Sequence, residues 1–299
     1  MSERSIGLLC ATTTALCWAV LAIGLKYALQ FADSGTIVWF RMIVASLLLV
    51  TYYLIKKPDH LKILKQLPML GVVAGLCLSA NYYGYMKGVE LTSPSNAQIM
   101  IQMAPMSLIL IGIFYFRERP SPLQGLGFGL AALGFSLFFW DQITVAVSNQ
   151  DRFFSGNLWI VMAAATWALF ATLQKILTRV WTPQQINLLI YILAVFVLAP
   201  LADFKILPDL GIGAWALMIF LGVNTLVAYG ALGEALKRIP ASHVSVIISA
   251  NPLLTITIMT ILRYQQVQWI ETDIIDWRGY MGATLVVTGV ICAVRKAKD

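Results

Sequence analysis

Charge is what this sequence has least of. Only 14 of its 299 residues are acidic and 21 basic, 12% together, against about 25% in an average soluble domain. Cysteine occurs four times, at Cys10, Cys17, Cys77 and Cys292, with no Cys-x-x-Cys pair and no Cys/His spacing of a metal site. His-Glu-x-x-His, paired aspartates and a Gly-x-Ser-x-Gly elbow are missing too. These absences exclude a soluble α/β enzyme, a secreted disulfide scaffold and a disordered chain, and they leave an intramembrane enzyme without a catalytic constellation. No catalytic residue, cofactor or metal is expected, and the cysteines read as small core hydrophobes.

What is present is apolar. Hydrophobic residues make up 59% of the chain, in runs that do not alternate as the strands of an outer-membrane barrel would. Runs such as 6–25, 36–55 and 185–202 are long enough to cross about 30 Å of hydrocarbon as helices. Hydropathy and turn signals predict ten spans: 6–29, 36–55, 68–86, 95–116, 122–140, 157–177, 183–202, 211–236, 242–262 and 278–294. The first follows Met1-Ser2-Glu3-Arg4; it is too long for a signal peptide and is expected to be retained. The sequence thus specifies an all-α polytopic membrane protein with short connections, bathed in lipid.

With an even number of spans, both termini share a side. That side holds Arg4, Lys56, Lys57, Lys62, Lys65, Arg117, Arg119, Lys175, Arg179, Lys237, Arg238, Arg295, Lys296 and Lys298. The opposite side holds only Lys26, Lys87, Arg152, Lys205, Arg263 and Arg278, and Arg41 falls inside a span. The positive-inside rule places both termini in the cytoplasm of a bacterial-type inner membrane. The net charge of +7 is therefore a topology signal, and no nucleic-acid partner is implied.

The chain also repeats itself. Cys17-Trp18-Ala19 through Lys26 aligns with Thr166-Trp167-Ala168 through Lys175, and Pro94-Ser95 through Pro105 aligns with Ala241-Ser242 through Pro252, at nearly the same shift. Each half holds five spans, an odd number, so the second half enters the membrane from the opposite side. The expected organisation is a first five-helix repeat over 1–140, an external linker over 141–156 and a second repeat over 157–299, the inverted arrangement of secondary transporters.

Five plus five helices, a tryptophan in the first helix of each half, and a mid-span proline after small polar residues resemble the drug/metabolite transporter superfamily, in particular EamA-type permeases. The clearest stretch runs from Tyr229-Gly230-Ala231-Leu232-Gly233-Glu234 to Asn251-Pro252. Arg41 occupies the place of an arginine common in that family's second helix, and Glu118 that of a glutamate ending its fourth. The second half departs from the pattern, with Gln265 opposite Glu118 and about seven extra residues before Gly279. The resemblance implies efflux of small metabolites and a cavity lined by spans 1, 3, 4, 6, 8 and 9.

Candidate cavity residues are the amides Asn81, Gln98, Gln102, Asn224 and Asn251, the hydroxyls Ser245 and Ser249, and the aromatics Trp18, Trp167, Tyr82, Tyr83 and Tyr229. Each amide needs a partner in hydrocarbon, and that partner is either substrate or a neighbouring helix. Adjacent Tyr82 and Tyr83 cannot both face inward. Pro105, Pro252, Gly84 and Gly230 are candidate gating points. Arg41 reads either as a substrate-anion contact or as a structural residue snorkelling to the outer interface, the second being favoured because span 2 is expected behind the lining. Lys26 and Lys175 read as interface anchors that could also guide an anion. Glycine-rich spans 5 and 10 leave room for close self-association as a homodimer. A charge-poor cavity of this kind points to a neutral or zwitterionic metabolite such as an amino acid. The alternative is a nucleotide-sugar or phosphate-ester exchanger using Lys26, Arg41 and Lys175.

Overall fold

The computed structural model describes residues 2–114, 117, 121–145 and 150–294. Glu118 and the basic residues Arg295, Lys296 and Lys298 lie outside the described residues, as does the side chain of Ser245. The described residues form thirteen α-helices: α1 (Glu3–Ala28), α2 (Ser34–Lys56), α3 (Lys62–Gln66), α4 (Met69–Leu91), α5 (Pro94–Met100), α6 (Met103–Phe114), α7 (Pro122–Val145), α8 (Gln150–Leu177), α9 (Pro183–Leu198), α10 (Ile212–Arg238), α11 (Ala241–Ser249), α12 (Asn251–Tyr264) and α13 (Trp277–Val294). Local chemistry sets several starts. Asp33 caps α2 by accepting from Gly35 and Thr36, and Thr182 and Gln185 form a reciprocal capping box on α9 with Pro183 at its first position.

Among the described residues eight helical segments are long and apolar enough to cross a membrane, or nine if α4 is joined to the short helical turns before it across a 93° bend. The expected spans 68–86 and 95–116 coincide with α4 and with α5 plus α6. Asparagine, tyrosine and glutamine dilute the hydropathy of these two, and α5 and α6 are parted by a turn at Ile101–Gln102. Within the expected linker over 141–156, α7 runs to Val145 and α8 begins at Gln150.

Helices pair as α7 with α13, α4 with α8, α1 with α10 and α2 with α9. Exchanging spans one to five with six to ten leaves this pattern unchanged. A main core of Ile37, Met42, Leu78, Met86, Ile160, Ile186 and Tyr191, all fully buried, joins α2, α4, α8 and α9. A second core along α7 and α13 contains Ala131, Phe138, Val286 and Val290.

The α7–α13 seam explains the glycines there. A Cβ on Gly127 or Gly289 would fall 2.4 Å from a backbone nitrogen of the facing helix, and one on Gly134 or Gly282 within 2.6 Å. These four glycines let the two backbones touch within one chain, so their faces are already occupied. Gly125 and Gly129 have open space beside them.

Both ends of the described chain lie where α10 finishes. Glu3 pairs with Arg238, Ala11 packs with Ala235, Ile239 and Val244, and Val294 shares a lining with Leu236 and Val244. This is the terminal end of the bundle, and the opposite one is the far end.

Candidate functional site

A cavity of about 330 Å³ lies between the halves. Trp18 of α1, Asn81 and Tyr82 of α4, Trp167 of α8 and Tyr229 of α10 form its middle. Gln98, Gln102 and Pro105 contribute from the first broken helix, Ser249 and Asn251 from the second. Leu232, Leu236, Val244 and Val294 continue the lining towards the terminal end, because they occupy the parts of α10, α11 and α13 nearest it. The cavity is therefore a blind well running from mid-membrane to the terminal end.

Both breaks follow from proline. Pro105 has no N–H to give to Ile101 and Pro252 none for Ile248, and the helices interrupt at Ile101–Gln102, about one turn before Pro105, and at Ala250, two residues before Pro252. The break at Ile101–Gln102 puts Gln102 into the well, buried. Among the described residues its carboxamide meets no hydrogen-bond partner. The other two expected gating points differ. Gly84 is a close-approach position, where a Cβ would lie 2.9 Å from Met162 and 3.1 Å from the Trp159 carbonyl, whereas Gly230 has open space around it.

Of the remaining amides, Asn81, Asn224 and Gln98 are engaged with backbone and Asn251 with the Gln98 side chain. Asn81 donates to the Ala163 carbonyl at 2.8 Å and Asn224 to the Cys17 carbonyl at 3.1 Å. They are matching clamps, one from each half, tying α4 to α8 and α10 to α1. Asn81 also borders the well, while Asn224 stands outside its lining. Gln98 donates to the Trp18 carbonyl at 2.7 Å and accepts from Asn251 at 3.4 Å. This chain of bonds crosses from α1 through α5 to α12.

The aromatics sort by helical angle. Tyr82 faces inward and meets Tyr229 edge to face at 6.4 Å, and Tyr229 meets Trp18 at 5.7 Å. Tyr83 points away, onto Trp159. Tyr85, not among the expected site residues, joins the lining; it lies one turn from Asn81 on the same face, and that spacing is the signal that could have found it.

Arg41 departs most from expectation. It does not snorkel: it is 2% exposed and its guanidinium lines the well. Although α2 stands behind the lining, the side chain is long enough to reach between α4 and α10. One terminal nitrogen donates to Thr225 Oγ1 at 3.0 Å, and the group lies 5.9 Å from the Tyr82 ring centroid. Lys26 is elsewhere. Its ammonium donates to the Thr92 carbonyl at 3.0 Å at the end of α4 and borders a separate polar recess at the far end with Asp33, Glu90, Arg152 and Glu271. Lys175 is exposed near the end of α8 and lines neither space.

The far end is sealed by residues 265–276, the stretch that carries the extra residues of the second half. Its Trp269 carbonyl accepts from Gln30 at 2.6 Å, its Trp269 ring packs on Tyr27 at 5.0 Å, and Ile270 packs with Ile23 and Met259. Asp273, 8% exposed, accepts from the Ser95 backbone N–H at 3.0 Å at the start of α5. Burial pushes its carboxyl above the usual range, opposed by hydrogen bonds from Ser95 and Ser93 and by the charge of Lys26. Among the described residues no group of three His, Cys, Asp or Glu could hold a metal ion.

A helical bundle with mid-membrane amides, a solute-sized well and one sealed end defines a polytopic membrane transporter. The chain belongs to the EamA-like transporter family, which it matches twice, over residues 5–140 and 154–295. It is similar to the uncharacterized inner membrane transporter YhbE of Escherichia coli strain K12, 31% identical over 292 residues and covering 97% of this chain and 91% of that one. An uncharacterized transporter of Haemophilus influenzae is 31% identical over 288 residues, covering 96% and 94%. A solved crystal structure aligns with a TM-score of 0.67 at 17% identity over 97% of each chain, a likeness of fold.

Proposed function

We propose that the chain is a secondary transporter that exports small polar metabolites of amino-acid size, alternately exposing the well to the two membrane faces. The observation that carries this reading is the well itself, built from matching helices of both halves, open at one end and sealed at the other by residue contacts small enough to break. Positive-inside charge supports a cytoplasmic open end, and a resting state open to the cytoplasm suits capture of a cytoplasmic solute. The free carboxamide of Gln102 and the faces of Trp18 and Trp167 are the groups that would replace the hydration and stacking of a small metabolite.

The phosphate-ester reading asks Lys26, Arg41 and Lys175 to converge. Only Arg41 lines the well, which argues for the first reading. The test is flux in proteoliposomes preloaded with labelled amino acids, nucleobases, aromatic carboxylates and phosphate esters. Release of at least one, reduced about tenfold or more by Gln102→Ala or Trp18→Ala in folded protein, is the expected result. No flux of any of them would overturn it.

A further inference from the structure

We propose that the well is an anion site in which Arg41 holds the carboxylate of an organic monoanion whose remaining body is apolar or aromatic. This deepens the transport reading and rests on it. Arg41 is 2% exposed and mid-membrane, where an uncompensated charge is costly unless another group neutralises it. Among the described residues no aspartate or glutamate lines the well. The oxygen that does meet the guanidinium, on Thr225, is neutral, and the Nε of Arg41 has no hydrogen-bond partner at all. The Tyr85 hydroxyl beside it is also buried without a partner. The Arg41 Nε and the Tyr82 and Tyr85 hydroxyls are thus buried donors without partners in the wall of a space with room for a solute.

The chemistry of the anion follows from the count of charges. One guanidinium balances one negative charge and presents a planar fork that matches a carboxylate. A phosphate dianion would bring a second charge with no second cation among the described lining residues to meet it. An ammonium group would find no carboxylate either, so a free amine adds desolvation cost without a partner. Trp18, Trp167, Leu21 and Ile101 form an apolar and aromatic part of the wall that suits a hydrocarbon body, beside the polar Asn81, Gln98, Gln174 and Asn251. Gln102 is placed to orient one further polar group.

The test uses purified full-length protein in detergent and follows intrinsic tryptophan fluorescence, since Trp18 and Trp167 border the well. The probes are 3-phenylpropionate, its uncharged amide, 3-phenylpropylamine and phenyl phosphate. The acid is expected to bind about tenfold or more tighter than the amide, the low end of what a charge-assisted hydrogen bond supplies. Arg41→Met should bind acid and amide alike. Equal or tighter binding of the amide, the amine or the phosphate by the unaltered protein would overturn the proposal, and so would an acid preference that survives Arg41→Met. If Arg41→Met does not fold, the unaltered protein's ranking of the four probes decides alone. Flux in proteoliposomes from the same purified protein without acid preference in detergent removes this inference and leaves transport standing; acid preference without flux does the reverse.

Discussion

Gly282→Ala is expected to destabilise the protein although alanine is the better helix former. The added Cβ would sit 2.6 Å from the Phe138 backbone nitrogen and 2.8 Å from the Gly134 carbonyl oxygen. Those separations fall short of ordinary contact by about 0.6 to 0.8 Å, and backbone cannot swing aside as a flexible side chain can. The helices must part along a seam where Gly127, Gly134, Gly282 and Gly289 approach one another reciprocally, and overpacking of this kind costs about 1–3 kcal/mol. Helix propensity returns about 1 kcal/mol, leaving a net loss of up to about 2 kcal/mol. Gly125→Ala is the matched control, because its Cβ would meet nothing within 4 Å, so only the propensity gain of up to about 1 kcal/mol remains. Thermal unfolding of both variants in one detergent measures the difference. A Gly282→Ala protein as stable as Gly125→Ala would refute the seam as described.

Further expectations concern the clamps and the seal. Asn81→Ala and Asn224→Ala should each lower stability by about 0.5–1.5 kcal/mol, but only Asn81→Ala should also slow flux, since Asn224 lies outside the well; equal flux defects would contradict that division. Because burial raises the Asp273 carboxyl, the sealed far end binds the proton more tightly than an open one does. The seal is accordingly favoured as pH falls through that raised value and loosened as pH rises above it. Labelling of Ile99→Cys, fully buried in the same apolar cluster as Ile275 of the 265–276 stretch, should therefore speed up with pH more steeply in the native background than with Asp273→Asn. The opposite slope would refute the sign.

The fold was legible because hydrocarbon demands long apolar helices, and eight of the ten expected spans are plain on that ground alone. The two that are not are α4, whose hydropathy Asn81 and its tyrosines dilute, and α5–α6, broken into two short pieces at Ile101–Gln102, so the features that build the well weaken the pattern that reveals a span. Tyr82 and Tyr83 could not be told apart without the helix phase, which neighbouring apolar residues do not fix when every side is apolar. Arg41 was misplaced because span order says where a helix axis stands, not how far a long side chain reaches across it. Asp273 was invisible for a different reason: it sits in an irregular stretch without periodicity, and its importance comes from a contact with Ser95, 178 residues away. The only sequence hint was the extra length before Gly279.

The central claim is that transport requires the sealed far end to open. With the four native cysteines replaced, Ser95→Cys and Asp273→Cys would place a disulfide across the seal, where a backbone N–H and a carboxylate now meet at 3.0 Å. Oxidised protein in proteoliposomes should still bind solute from the terminal end but show no net flux, and a reductant should restore it. Cross-linked protein that transports as fast as the reduced form would contradict the account.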